Sequence, residues 1–191
     1  MLAAAGVSWV VQVVNAADHY SLNRFGLRPR NVDGLWGVLT APFLHDSYSH
    51  ALSDAVSFVA IGWVLLLSGP RIWLIVTASV AVLGGALAWA VAPSPHDVRH
   101  VIIGASLLVF GWLGYLLARA YFSRRLRWIV VAVVVLFFFG ALLGQLLPSY
   151  DTTTPWQARW CGFAAGALAG AVLHPRRPSR RGPNPSPSAV S

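Results

Sequence analysis

Six stretches of this 191-residue chain are predominantly apolar, and between them they use up most of its length: residues 2–17, 51–68, 72–92, 101–118, 128–147 and 156–173. A helix needs about 20 apolar residues to cross the hydrocarbon core of a bilayer. In lipid every backbone N–H and C=O must be satisfied within the protein, so such segments are expected as helices rather than open strands. Helical periodicity is little guide here, since a helix surrounded by lipid can be apolar on every side. Composition agrees. Asp, Glu, Lys and Arg make up 10% of the residues, against roughly 25% in an ordinary soluble domain. The expected fold is all-α, a polytopic membrane helical bundle of six transmembrane helices over residues 1–174. A disordered Arg/Pro/Ser-rich tail is expected over 175–191.

The first segment is the weakest, being short and carrying Gln12 and Asn15. It has no basic residues ahead of its apolar run, so it reads as a retained helix, with a cleaved signal peptide as the alternative. Residues 19–48 form a long connection. Within it the apolar stretch 35–44, with Trp36, is too short to span and is expected to be interfacial or re-entrant.

Charge gives an orientation. The basic residues are all Arg and the acidic residues all Asp. The N-terminus, the connections 2–3 and 4–5 and the C-terminal tail carry Arg71, Arg119, Arg124, Arg125, Arg127, Arg176, Arg177, Arg180 and Arg181 and no acid. The opposite side carries Arg24, Arg28, Arg30, Arg99 and Arg159 and all six Asp residues, 18, 33, 46, 54, 97 and 151. The positive-inside rule then places both termini in the cytoplasm, in what is expected to be a bacterial plasma membrane. The net charge of +8 reads as anchoring to anionic headgroups rather than nucleic-acid binding. Cys161, the single cysteine, permits no intramolecular disulfide and no cysteine-based zinc site.

Polar residues inside spans are costly and usually face the bundle interior. His50 and Asp54 are four residues apart at the outer end of the second segment and share a helix face. Ser106 follows Gly104 near the outer end of the fourth, about 9 Å along the helix from His100. Arg159 lies near the outer end of the sixth. Taken singly, each has an ordinary reading: a serine bonded to its own helix, an interfacial histidine, a snorkelling arginine. Together they fall at one depth on helices two, four and six, which is the physical argument for a shared site. Gly162, Gly166 and Gly170 form a ridge on the sixth segment, and Gly104, Gly111 and Gly114 punctuate the fourth, as close helix packing requires.

Three stretches resemble the rhomboid intramembrane serine proteases. His45-Asp-Ser-Tyr-Ser-His50-Ala-Leu-Ser-Asp54 is similar to that family's second-helix pattern of His, four residues, His, three residues, Asn. Gly104-Ala105-Ser106-Leu107 resembles its Gly-x-Ser-Gly nucleophile motif. Trp156-Gln-Ala-Arg159-Trp-Cys-Gly162-Phe-Ala-Ala-Gly166 resembles the helix that carries its general-base His. The resemblance covers roughly residues 20–173. It implies a Ser–His dyad within the membrane, with a second-helix His and an Asn donating hydrogen bonds to the oxyanion.

The sequence departs from that pattern at most positions. Ser106 stands at the nucleophile position and His50 at one oxyanion position. The Asn position is Asp54, which accepts hydrogen bonds when ionised. The base position is Arg159, or Phe163 in an alternative register, and neither takes up a proton. Leu107 replaces the glycine after the nucleophile, where its side chain is expected to crowd a substrate carbonyl. His174 lies at the far end of the sixth segment, too deep to serve. Asp54 and Arg159 are expected to form a buried ion pair across the former active site.

The reading that follows is a rhomboid-like pseudoprotease that binds transmembrane segments of client membrane proteins. An active rhomboid serine endopeptidase using Ser106, with His50 or His100 as an unconventional base, is the alternative, and a small transporter or channel is a third. The expected partners are the lipid bilayer and client segments, with no nucleic acid. No cofactor or metal is expected: His45/His50 and His96/His100 read as helix-end residues.

Overall fold

A computed structural model describes residues 1–93, 101–148 and 156–174. His96, Asp97, Arg99, His100, Asp151 and the tail 175–191 lie outside the described residues. The described chain is helical, with one isolated antiparallel bridge, Leu27 to Ile102. Six helices carry the architecture: α1 (Leu2–Ala17), α2 (Tyr48–Leu66), α3 (Pro70–Val91), α4 (Ser106–Ser123), α5 (Leu126–Leu146) and α6 (Trp156–Leu173). Of these, α2 to α5 are long and apolar enough to cross a membrane, whereas α1 is apolar but has only 16 residues. Large side chains on α2, α3 and α5, such as Val56, Trp63, Leu74, Phe137 and Phe138, point outward. That costs nothing where lipid is the solvent.

Local chemistry sets the helix ends. Ser47 caps α2, its Oγ accepting the backbone N–H of His50 at 3.2 Å. This satisfies one of the donors left open at a helix start. Gly69, at φ +101°, turns the chain from α2 into α3, and Pro70 opens α3 where its missing N–H costs nothing. In the middle of α3 the segment Val80–Gly84 widens into a π-turn. α5 ends in a 3-10 stretch, Gly140–Leu146.

α4 is the central column, buried along most of its length, and α6 lies against it at backbone contact. A Cβ added to Gly162, Gly166 or Gly114 would fall on the carbonyl of Leu107, Gly111 or Phe163 respectively. Gly84 of α3 approaches the same ridge, where an added Cβ would meet Gly162 Cα at 3.2 Å. The expected glycine ridge on α6 is therefore the contact that sets the α4–α6 distance.

The fourth apolar stretch needs a correction. It was expected to be helical from residue 101, but α4 begins at Ser106. Ile102 and Leu27 exchange both backbone bonds, at 2.9 and 3.0 Å, and Gly104 sits at φ +100°. Apolar residues 101–103 are thus spent on pairing with the long connection. That connection is tied to α1 as well. Asn15 Nδ2 donates to Asn23 Oδ1 at 2.9 Å, and Asn15 Oδ1 accepts from the Leu22 N–H at 3.0 Å. Gln12 and Asn15 are both fully buried, so the polar residues that weakened the first segment face inward. The stretch 35–44 forms two single turns, Gly37–Thr40 and Ala41–Phe43. Trp36 and Leu39 are exposed there, and Gly37, Ala41 and Leu44 are buried.

The far ends of α4 and α6 meet in a polar cluster. Arg119 Nη1 donates to the Tyr115 hydroxyl at 2.9 Å, and that hydroxyl lies 2.9 Å from His174 Nε2. Ser68, in the α2–α3 turn, sits beside Tyr115. Burial lowers the pKa of His174, and the nearby Arg119 and Arg125 lower it further. The folded protein therefore holds a neutral imidazole, which accepts the Tyr115 proton. Such a group stabilises the fold fully above the ordinary His pKa of about 6.5, and this contribution is lost as pH falls through the lower folded value. The thermal midpoint in detergent is expected to drop between about pH 7.5 and pH 5, and His174→Gln is expected to flatten that dependence. An equally steep drop in the variant would assign it to other groups.

Candidate functional site

The polar residues singled out above gather at the opposite end, where α2 passes beneath the start of α4. Gly104 is the junction. Its positive φ favours glycine, and a Cβ there would lie 2.8 Å from Asp54 Oδ2 and 2.9 Å from His50 Nε2. Position 104 is thus closed to any side chain on two counts, conformation and space. Its N–H donates to Ala41 O at 2.9 Å, which fixes the loop that presents Ser106.

His50 and Asp54 do share a face of α2, with Nε2 and Oδ2 3.6 Å apart. His45 approaches the same carboxylate oxygen, its Nε2 at 3.4 Å, and the two imidazoles stand edge to face at 5.2 Å. On its other side His50 Nδ1 lies 2.9 Å from Asp46 Oδ1. The ring thus stands between two carboxylates, Nδ1 facing Asp46 and Nε2 facing Asp54. Sequence reasoning passed over both Asp46 and His45. For Asp46 the signal was its i, i+4 spacing to His50. For His45 it was the motif position, which a reading as a helix-end residue set aside.

Ser106 opens α4 and is 5% exposed. Its Oγ is buried and has no hydrogen-bond partner among the described residues. A serine becomes a nucleophile when a base within hydrogen-bond reach takes its proton. Neither His45 nor His50 makes that bond, and His100 lies outside the described residues.

The packing of α6 brings both candidate residues near Ser106. Gly162 meets the carbonyl of Leu107, one residue after Ser106, so Arg159, one turn before Phe163, and Phe163 itself both lie within about a turn of Ser106 in depth. Arg159 is 7% exposed. Its Nη1 donates to Gln145 O at 3.2 Å, and its neighbour Trp160 donates Nε1 to Leu146 O at 2.9 Å.

The expected Asp54–Arg159 ion pair is not formed. The two charges are near enough to attract, but the ion pairs within 4.0 Å that Asp54 makes are with His45 and His50. The reason is local. The 3-10 end of α5 leaves backbone carbonyls free to accept, and the guanidinium is drawn to one of them. Leu107 also departs from expectation. Its side chain packs beside Gly162 and Gly84, filling the seam between α3 and α6.

A cavity of about 120 Å³ opens beside these residues. Ala4 and Ser8 of α1, Phe58 of α2 and Thr77 of α3 line it, and His45 and Asp54 form its polar end. Both ring nitrogens of His45 and Oδ2 of Asp54 are buried with no hydrogen-bond partner among the described residues. A cavity this size has room for several waters to serve them. Among the described residues no three of His, Cys, Asp and Glu are arranged to hold a metal ion.

Comparison with known proteins places these features in a family. The model of the rhomboid domain matches residues 32–176. An uncharacterized protein of Mycobacterium tuberculosis is 34% identical over 178 residues, covering 90% of this chain and 73% of that protein. One from Mycobacterium leprae is 31% identical over 182 residues, covering 90% and 70%. An ammonium transporter of Schizosaccharomyces pombe is 40% identical over 81 residues, which cover 41% of this chain and 15% of the transporter.

Proposed function

The chain belongs to the rhomboid family, and from that premise we propose that it is a pseudoprotease, an integral membrane protein that holds transmembrane segments of other proteins without cutting them. One observation carries the reading. Ser106 Oγ is buried without a partner among the described residues, and neither α6 candidate for the base position supplies a base: the Arg159 guanidinium stays protonated and Phe163 has no proton acceptor. The oxyanion side is altered in the same direction. An ionised Asp54 beside Gly104 repels the negative charge that builds up in acyl transfer. What survives is a membrane bundle with a cavity beside the family's site, which suits binding. In this reading α1 and α6 join α2 to α5 to give six spans, with both termini in the cytoplasm of a bacterium. Nine Arg and no acid on the termini's side support that orientation.

The expected result is that a tagged reporter with a single transmembrane segment co-purifies with the wild-type protein and stays full length. Release of a cut reporter by wild type, lost in Ser106→Ala, would contradict the proposal.

An active protease is the second reading, and the Asp46–His50 pair at 2.9 Å is what favours it. A carboxylate orients an imidazole there as in a catalytic triad. Against it, that imidazole faces Asp54 and makes no bond to Ser106. A transporter or channel draws only on the short local likeness to the ammonium transporter.

A further inference from the structure

At the end of the bundle away from Ser106, α4 buries a second arginine. Arg119 is 7% exposed. The described residues give it one hydrogen bond, to Tyr115, and its guanidinium carbon stands 3.6 Å from the centre of the Trp128 ring on α5. Its Nε is buried with no acceptor among the described residues, and Ser123 Oγ, one turn further along the same face of α4, is likewise unpartnered among them.

Other cations crowd the same indole. The Arg127 guanidinium carbon is 5.2 Å from the Trp128 ring centre, and Arg125 and Arg127 are both near enough to repel Arg119. Among the described residues no acid balances them. The described aspartates, Asp18, Asp33, Asp46 and Asp54, belong to the other end, and the sequence after residue 174 contains neither Asp nor Glu. A buried cation with like charges around it and no counter-ion is costly. The cation–π contact with Trp128 offsets part of that cost but supplies no negative charge.

We propose that the Arg119–Trp128 cluster binds the phosphate of an anionic phospholipid in the leaflet facing this end of the bundle. A guanidinium takes phosphate through paired N–H donors, and Arg125 and Arg127, both exposed, rim the approach. A lipid rather than a soluble phosphate fits because the same helix continues as an apolar surface. Leu126, Ile129, Val130 and Val133 of α5 are exposed in sequence from the cluster inward, where an acyl chain would lie. This inference does not depend on whether Ser106 is active.

The test is native mass spectrometry of the full chain in detergent, titrated with phosphatidylglycerol, with phosphatidylcholine of the same acyl chains, and with inorganic phosphate. Wild type is expected to retain one phosphatidylglycerol about tenfold better than phosphatidylcholine, the scale of a charge-assisted hydrogen bond. Millimolar inorganic phosphate is expected not to displace it. Arg119→Gln should lose the preference. Should that variant fail to fold, the double variant Arg125→Gln/Arg127→Gln leaves the buried contact with Trp128 in place and should still reduce the preference several-fold. Equal retention of the two lipids by wild type, or an unchanged preference in the variants, would overturn the site. Displacement by inorganic phosphate would overturn the lipid as its ligand.

Discussion

Replacing Gly166 by valine is expected to prevent the bundle from assembling. The Cβ of any residue at 166 would fall on the carbonyl oxygen of Gly111. That oxygen belongs to the backbone of α4 and cannot rotate aside, so α4 and α6 would have to separate along their whole contact. Overpacking a core with a side chain that can yield costs about 1–3 kcal/mol. Here the obstacle is main chain on the most buried helix, and the cost is expected to exceed about 3 kcal/mol, a large part of a typical total of about 5–15 kcal/mol. Even Gly166→Ala is expected to lower the thermal midpoint clearly. Gly6→Ala is the control, since nothing lies within 4 Å of the added carbon. Yield of monodisperse protein and thermal unfolding in detergent provide the measurement. A Gly166→Val protein as stable as wild type would mean that α4 and α6 do not meet at this ridge.

The second large effect is a gain. Arg159→His combined with Asp54→Asn is expected to make Ser106 reactive toward a fluorophosphonate. The first change places an imidazole near the depth of Ser106, and the second removes the carboxylate beside Gly104 and supplies a donor. A positioned general base contributes typically 10²–10⁴-fold, so labelling should rise from background to an easily measured rate. Arg159→Gln/Asp54→Asn, which relieves the same charges without adding a base, should stay silent. A folded double variant with the histidine that still fails to label would show that a base at position 159 is not what Ser106 lacks.

Much of this was legible in the sequence, for a physical reason: burial in lipid demands long apolar helices, and such runs are visible by composition alone. The bounds of α1 and α6 came out as expected. The start of α4 did not, because apolarity at 101–103 is equally compatible with a helix and with pairing to Leu27. The clue was Gly104, whose freedom at positive φ marks a break in helix as readily as a packing contact. At the site, the shared face of His50 and Asp54 followed from their spacing, whereas their approach to Gly104 is visible only in the fold. The partner of Arg159 did not, because it is a backbone carbonyl freed by the 3-10 end of α5, and no side-chain pattern announces it. The cluster around Arg119 was half visible. Charge counting put Arg119 on the acid-free side, but its burial against Trp128 comes from the α4–α5 turn, which hydropathy does not report.

The central claim is that Ser106 is not an activated nucleophile. Its most direct test is to label purified, detergent-solubilised wild type and Ser106→Ala with a fluorophosphonate serine probe, beside a rhomboid whose dyad is intact. The expected result is no labelling of folded wild-type protein above the Ser106→Ala level, while the dyad-intact rhomboid labels strongly. Labelling of wild type that disappears in Ser106→Ala would contradict the account and turn attention to the Asp46-oriented His50 as the missing base.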